Sequence, residues 1–453
     1  CLARQAAQAS FARPFARSAR CNPWPDLMKD TIGDEPATTL APAAGRALRV
    51  LLTGYRSHPH VGGQGVYLSE LAKALQRAGH KVTVVSGPPY PDLPDTISLV
   101  RLPALNLFDV DNAFMAFRPV FLTRWPDFAE WACHNTAAFG ELYAFACRLN
   151  DWLKGREDEF DVIHDNQTLA TPFLSIAKRI PVIATIHHPI AIDREFAIDS
   201  ATKRVDRWLT ARWYDFVDMQ EKTARVLPAL LAVSEAARDS HVAWYGVDPM
   251  RVDVALNGID HTVFRTDPSV TREAELIAAT ASADVPIKGL DVLMTAFVEL
   301  AQSRPDLKLE MIGQLRDGRA KQILTEAGVM DRVTCRHGVS REDIAALYQR
   351  ASVVACPARF EGFGFPAAEA MACGAPVVAS DGGALPEVVG EAGRVVPAGD
   401  ARALAAALGE VLDTPEAAHR MSVDGAERAR QAFDWDRHAE TAVSLYQRVM
   451  AAC

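Results

Sequence analysis

From residue 46 onward, short apolar runs alternate with longer segments of helical periodicity, and few architectures accommodate such a chain. The run "LRVLLTG" has the length of a strand, and the turn "HPHVGGQG" separates it from "VYLSELAKALQRAG", where Leu68, Leu71 and Leu75 recur at helical spacing. Gly79 ends this helix, and "KVTVVSG" is the next strand-length run. A strand, a helix and a strand in one short unit predict parallel strands joined by a right-handed crossover.

The alternation occurs twice. The runs "DVIHD", "PVIATIHH" and "ALLAVSE" extend the first series, and the punctuated stretch 257–270 is typical of a linker. A second series begins near residue 275 with "ELIAATA", "LKLEMIG", "RVTCRHG", "SVVACP" and "PVVAS". We therefore predict an α/β protein with two tandem Rossmann-like, doubly wound domains at 46–257 and 258–435. One long dinucleotide-binding domain is the alternative, which the second restart disfavours.

Three further segments lie outside this pattern. Residues 1–45 are rich in Ala and Arg at their start, and we predict a disordered tail, with a transit peptide as the alternative. Residues 103–156 are aromatic and mostly helical, which indicates an insertion that shapes a cleft. Residues 436–453 form an amphipathic helix with no strand left to pair.

Composition restricts the class of protein. The chain has 453 residues, 49% apolar and 23% charged, as in a globular protein, and no apolar run approaches the ~18 residues of a membrane span. Its net charge of −9 gives no reason to expect a nucleic-acid partner. The eight cysteines form no CxxC pair, so we expect free thiols and a cytoplasmic location.

The stretch "RFEGFGFPAAEAMACGAPVVASDGG" combines two glutamates with a glycine loop and a helix start. Gly362 and Gly364 allow backbone to approach a ligand, and Pro366 suits the first helical position. The helix N-terminus favours a phosphate, and Glu369 in the first turn is placed to bind ribose hydroxyls, with Glu361 on a transferred sugar. Alternatively, Glu369 complements the helix dipole and Glu361 is solvated. Spacing alone does not decide between these interpretations.

The stretch resembles the E-x7-E signature of the retaining GT-B glycosyltransferases of family 4, without a break from Glu361 to Val378. The landmarks "GGQG", "TIHH", "NGID", "KGLDVLMTAF" and "DGGALPEVVG" follow in the family's order, so the resemblance covers about 46–450. It implies the GT-B fold, in which the two domains face across a cleft and the last helix crosses back to the N-terminal domain. It also implies hexose transfer from a nucleotide-diphosphate sugar to an acceptor hydroxyl with retention, without a metal or other cofactor.

The resemblance implies roles for residues of the C-terminal domain, which binds the donor in this family. Glu369 contacts the ribose and Glu361 the donor sugar. The backbone amides of Phe363 and Gly364 lie near the diphosphate. Lys288, in "PIKGLD", matches the lysine that neutralises the diphosphate and stabilises the leaving group.

In the N-terminal domain, Gly62 and Gly63 match the glycine pair that approaches phosphate and acceptor. His187 of "TIHH" matches a histidine that faces the reaction centre at the end of a strand. For His188 and His164 we expect structural roles. The acceptor itself, whether a sugar, a lipid or a small molecule, is not indicated.

One position departs from the family pattern. Most members carry an arginine five residues before the lysine, where this chain has Ala283. Arg359 or Arg316 is a possible substitute for the missing cation. Alternatively, Ser282 and Asp284 indicate a different mode of donor binding.

Two weaker signals remain. Asp109 and Asp111 resemble the metal-binding DxD of another fold, but we interpret them as a polar loop and predict no metal. The basic, aromatic segment 203–216 is compatible with peripheral contact to anionic lipid at the inner membrane face, or with a phosphorylated acceptor. A solvated amphipathic helix is the alternative interpretation.

Two other functions stay open at this point. A GT-B relative such as a sugar-nucleotide epimerase shares the architecture but is expected to lack the complete E-x7-E block. A non-catalytic subunit that binds a sugar nucleotide is suggested by the missing arginine.

Overall fold

The computed structural model describes residues 46–58, 63–108, 110, 112–281 and 284–452. The predictions for the tail 1–45 and for Gly62, Asp109, Asp111, Ser282 and Ala283 fall outside the described residues.

The first sheet has seven strands, all parallel, in the order β3-β2-β1-β4-β5-β6-β7. They are β1 (Arg49–Gly54), β2 (Lys81–Ser86), β3 (Ser98–Arg101), β4 (Val162–Asn166), β5 (Val182–Ile186), β6 (Leu230–Ala232) and β7 (Val252–Val254). Every residue of β4 and β5 is buried, because helices cover both faces of a parallel sheet.

The second sheet has six parallel strands in the order β10-β9-β8-β11-β12-β13. They are β8 (Glu273–Thr280), β9 (Lys308–Ile312), β10 (Val333–Arg336), β11 (Ala351–Cys356), β12 (Val377–Ser380) and β13 (Arg394–Val396).

Sixteen α-helices occur within the described residues. Those before the second sheet are α1 (Gly63–Arg77), α2 (Trp125–Asn135), α3 (Glu141–Leu153), α4 (Pro172–Ile176), α5 (Ile190–Ser200), α6 (Arg204–Trp213), α7 (Phe216–Val226) and α8 (Glu235–Tyr245). Those that follow are α9 (Leu290–Ala301), α10 (Arg319–Ala327), α11 (Arg341–Arg350), α12 (Phe365–Ala372), α13 (Leu385–Val389), α14 (Ala401–Asp413), α15 (Pro415–Ala432) and α16 (Trp435–Ala451).

The last helix, α16, packs against the N-terminal domain. The hydroxyl of Tyr67 in α1 lies 2.9 Å from Nε2 of His438, and its ring meets Trp435 edge-on. The Tyr446 hydroxyl lies 2.6 Å from Nδ1 of His164 in β4. The predicted fold class is confirmed: two Rossmann-like domains occur in tandem, and the final helix returns to the N-terminal one.

In both sheets the strand order reverses beside the strand that comes first in the chain, between β1 and β4 and between β8 and β11. In open parallel sheets, ligands bind in the crevice outside the carboxyl ends of strands at such a reversal. Both domains therefore offer a binding crevice at a predictable edge.

Details at individual positions test the local predictions. Ser340 and Asp343 form a capping box at the start of α11, in which each side chain accepts a hydrogen bond from the backbone amide of the other residue. Cys356 and Cys373 are free and buried, whereas Cys335 is free but exposed. Among the residues that the structure describes, no helix combines the length and the apolar character needed to cross a bilayer.

Candidate active site

A cavity of about 670 Å³ lies between the two domains, at the carboxyl ends of both sheets. Residues that directly follow β5, β9 and β10, namely His187, Gly313 and His337, border it. The loop between β11 and α12 borders it as well, through Glu361 to Gly364. Strand ends supply the lining because each parallel strand delivers its following loop to the same edge of its sheet.

Helix α12 begins one residue earlier than predicted. Gly364 caps it with φ +99°, a left-handed conformation that favours glycine, and Phe365 is already helical. Pro366 is therefore the second helical residue, where its missing N–H still costs nothing. The placement of Glu369 in the first turn is wrong, since Glu369 is the fifth helical residue and lies in the second turn.

Gly362 is required where the loop meets the N-terminal domain. An added Cβ would lie 2.1 Å from the carbonyl oxygen of His187, far inside van der Waals contact. The hydroxyl of Ser234 also donates a hydrogen bond to the carbonyl of Gly362 at 2.6 Å. The two contacts fix the loop against the N-terminal wall of the cavity.

We expect Gly362→Ala to lower glycosyl transfer about 100-fold, because relieving the clash with His187 displaces the loop by ~1 Å and misplaces bound substrate. Its melting temperature should also fall. The matched control is Gly318→Ala, since a Cβ at Gly318 meets nothing within 4 Å. Transfer rates and thermal melts of both variants check this expectation, and full activity of Gly362→Ala would contradict it.

Lys288 and Glu361 form an ion pair in the cavity wall, with Nζ 2.7 Å from Oε1. Burial lowers the pKa of Lys288, but the charge and hydrogen bond of Glu361 raise it, and the net shift of this pKa is upward. Lys288 is therefore an ammonium at neutral pH. The backbone of Glu361 is fixed in turn, because its carbonyl accepts a hydrogen bond from the amide of Ala384 at 2.9 Å.

Glu369 is half-buried and faces the same cavity from α12. Burial raises the pKa of its carboxyl to about 8, and the positive charge of Arg341 opposes the shift. Near neutral pH the carboxyl of the ligand-free protein therefore holds a proton for much of the time. Hydrogen-bond donors from a ligand would favour the ionised form.

His187 is buried at the cavity edge. Its Nε2 lies 2.7 Å from Oδ1 of Asn166, the last residue of β4, and its ring meets Tyr67 edge-on. Burial, with smaller effects of neighbouring histidines, lowers the pKa of His187 to about 3. The ring is therefore neutral, and Nε2 carries its hydrogen because an amide oxygen only accepts.

His188 borders the cavity next to Lys288 and Glu361, and its Nε2 lies 2.7 Å from Oδ2 of Asp193 in α5. Burial lowers the pKa of His188, whereas the charge and hydrogen bond of Asp193 raise it, and the net shift is upward. His188 is therefore held at the cavity by Asp193, and its expected structural role stays a prediction. His164 is buried, with both ring nitrogens hydrogen-bonded, as a structural histidine should be.

The two arginines considered as substitutes for the missing cation differ in placement. Arg359 donates to both carboxylate oxygens of Asp291 at 2.8 Å, so its charge is neutralised by that carboxylate. Arg316 is exposed and borders the cavity, and its backbone amide donates to Asp284 at 3.0 Å. Of these two, only Arg316 reaches the cavity. Gly63, the first residue of α1, borders it from the opposite domain.

Several lining residues escaped prediction from sequence. Arg341 borders the cavity and bridges Glu70 and Asp260, each at 3.2 Å. Asn257 also borders it, and neither atom of its side-chain amide has a hydrogen-bond partner among the described residues. Asn257 begins the landmark "NGID", which is a signal that could have pointed to it. Arg341 neither follows a buried strand directly nor lies in a landmark, so no local pattern indicates it.

Comparisons with known proteins agree with this architecture. Residues 61–263 match the family model described as Glycosyltransferase Family 4, and residues 266–428 match that of Glycosyl transferases group 1. Among solved structures, sucrose-phosphate synthase from Thermosynechococcus elongatus superimposes with a TM-score of 0.69 at 21% identity, covering 90% of this chain and 100% of that one. Anabaena HepE in complex with UDP-glucose superimposes at 0.62 and 17% identity, covering 89% and 99%. At these identities the likeness shows the fold.

Curated relatives are more similar in sequence. The MMP alpha-(1->4)-mannosyltransferase of Mycolicibacterium hassiacum is 40% identical over 414 residues, which cover 89% of this chain and 99% of the relative. A D-inositol 3-phosphate glycosyltransferase of Streptomyces scabiei is 27% identical over 417 residues, covering 86% and 87%. The matching models and the coverage of the first relative establish that this chain belongs to family 4 of the GT-B glycosyltransferases.

Proposed function

We propose that this glycosyltransferase moves a mannosyl residue from a nucleotide-diphosphate mannose to the 4-hydroxyl of a sugar acceptor, with retention of the anomeric configuration. The convergence of Lys288, Glu361 and Glu369 on one interdomain cavity carries the proposal, because an ammonium and two carboxyls match a diphosphate flanked by hydroxyl groups. The mannosyltransferase that is 40% identical to this chain supports the choice of sugar and linkage.

In the proposed complex the donor lies along the C-terminal wall. Glu369 accepts hydrogen bonds from the ribose hydroxyls, and the amides of Phe363 and Gly364 donate to the diphosphate. Lys288 keeps its contact with Oε1 of Glu361 and adds one to a phosphate oxygen, since an ammonium has three donors. Oε2 of Glu361 has no hydrogen-bond partner among the described residues and accepts from a hydroxyl of the mannosyl group.

The reaction breaks the bond between the anomeric carbon and the phosphate oxygen and forms one to the acceptor oxygen on the same face. The departing phosphate oxygen takes the acceptor's proton, so neither glutamate acts as a general acid. Catalysis then depends on positioning and on stabilising the leaving group, to which Lys288 contributes most. Neutral His187 contributes a hydrogen bond at the sugar without adding charge.

The acceptor enters from the N-terminal wall, where Gly63 and His188 border the cavity. The proposal includes no cofactor or metal, so transfer assays should run equally with a chelator and with added magnesium.

A thermal-shift panel of UDP, GDP, ADP and dTDP sugars tests the donor assignment. One mannose nucleotide, supplied at about 100 times its dissociation constant, should add about 2.7 kcal/mol to the free energy of unfolding. The glucose form of the same nucleotide is the matched control and should add less. Proton NMR of the product then shows whether the anomeric configuration is kept. Donor binding without transfer to any sugar acceptor would instead indicate the non-catalytic subunit.

A further inference from the structure

The described surface concentrates its large exposed apolar side chains in two segments of the N-terminal domain. We name these residues the apolar patch: Phe108, Val110, Phe114, Met115, Phe117, Val120, Leu122 and Trp125, with Val205, Trp208 and Leu209 of α6. Met115 is 75% exposed, Leu122 69% and Trp208 63%. Exposed apolar side chains on this scale usually mark an interaction site.

The two segments of the patch adjoin each other. The ring of Phe108 lies 5.7 Å from that of Trp213 at the end of α6, in an edge contact. The guanidinium of Arg212 donates to the carbonyl of Thr136 at 3.3 Å, just after α2. Helix α6 therefore rests on the aromatic insertion at one end.

Helix α6 itself has no buried residue. Its apolar side chains Val205, Trp208 and Leu209 recur at helical spacing on one face, which the described part of the chain leaves uncovered. A helix of this kind gains little by packing on its own domain, so its apolar face is available to another surface.

The charge around the patch is opposite to that of the whole protein. Residues 203–213 hold four basic residues and one acidic residue, in a chain of net charge −9. Two of the four, Arg207 and Arg212, pair with Asp199 and Asp215 just outside this range. Lys203, Arg204, Arg118 and Arg124 are exposed and make no ion pair among the described residues. Free cations next to exposed tryptophan and leucine are typical of surfaces that lie in the headgroup region of an anionic bilayer.

The charge also argues against a second copy of the chain as the occupant. A twofold interface places the same patch on both partners, so the unpaired cations of one copy would face those of the other and repel. An anionic bilayer complements this charge and needs no matching groove. We propose that the apolar patch docks the enzyme peripherally on an anionic lipid surface.

Vesicle sedimentation of the full chain tests the proposal. The wild type should bind vesicles of equal phosphatidylcholine and phosphatidylglycerol, bind phosphatidylcholine alone weakly, and lose binding as salt rises. The apolar variant Leu122→Ser with Trp208→Ser and the charge variant Arg124→Glu with Arg204→Glu should each reduce binding about tenfold or more.

Two control pairs change exposed residues elsewhere on the surface. Met250→Ser with Val423→Ser removes two exposed apolar side chains outside the patch. Arg402→Glu with Arg420→Glu reverses the same amount of charge as the patch charge variant. Both pairs should bind vesicles as the wild type does, and all variants should keep the wild-type melting temperature.

Absence of binding to anionic vesicles at every salt concentration would overturn the proposal. So would equal loss of binding in patch and control variants. If the wild type self-associates in an analytical ultracentrifuge, binds no vesicles, and becomes monomeric with Leu122→Ser and Trp208→Ser, the patch belongs to a second copy instead.

Discussion

Lys288→Ala is expected to lower kcat for sugar transfer by about 100- to 1000-fold, the usual cost of removing one group that stabilises developing charge. In the proposed complex the ammonium faces the diphosphate oxygen that gains charge as the sugar leaves. Folding stability should fall by about 1–3 kcal/mol, because the pair is mostly shielded from solvent, with side chains 26% and 19% exposed, and Glu361 loses its partner.

Steady-state kinetics and thermal melts separate these two effects. Lys308→Ala, at the exposed start of β9, is the matched control and should be fully active. Lys288→Arg keeps the charge and should retain more activity than the alanine variant. A folded Lys288→Ala protein that transfers sugar at the wild-type rate would remove Lys288 from the site and with it the basis of the donor model.

Glu369→Gln should weaken donor binding about 10- to 100-fold, because hydrogen bonds to a charged group contribute about 1.5–3 kcal/mol each and glutamine is neutral. Calorimetric titration of the wild type and the variant measures the change. Glu342→Gln, in the exposed first turn of α11, is the control and should bind donor normally.

The pH dependence of donor binding follows from the pKa of about 8 at Glu369. Ribose hydroxyls favour the ionised carboxylate, so binding releases a proton below pH 8, and affinity should rise with pH until it levels off above that value. The folding stability of the ligand-free protein changes with pH in the opposite direction. The folded protein holds this proton between the ordinary pKa of about 4.5 and about 8, whereas the unfolded chain does not, so this group lowers stability as pH rises through that range.

Glu369→Gln should remove both the rise of donor affinity and the fall of folding stability that the titration of Glu369 causes, because glutamine does not titrate. The contributions of other groups to each pH profile should stay as in the wild type. An unchanged slope of affinity between pH 6 and 8 in the variant would show that another group titrates, and the ribose role of Glu369 would lose its support.

Patterns in the sequence predicted the elements well because periodicity is local. The alternation of apolar runs and amphipathic segments indicated two parallel sheets, and both are present. The stretch from Glu361 to Glu369 indicated a glycine loop before a helix, which the structure also contains. The first helical residue was one position off, since Gly364 takes the capping role that was expected one residue later.

Local patterns did not reveal which side chains neutralise one another. Arg359 was a plausible phosphate cation in the sequence, but Asp291 binds it, 68 residues away. His188 had no distinguishing feature beside His187, yet Asp193 on α5 holds it at the cavity. Such pairings depend on where loops from different strands meet, and no single segment records this.

Sequence by itself determined the two-domain α/β architecture and the presence of a loop suited to a diphosphate, because strand length, helical spacing and glycine placement act over a few residues. Only the tertiary structure decided that Lys288 meets Glu361 across 73 residues of chain and that Gly362 rests on His187 of the other domain. It also decided that α6 stays uncovered. Contacts of this kind depend on the docking of one domain against another, which is set by packing over the whole chain.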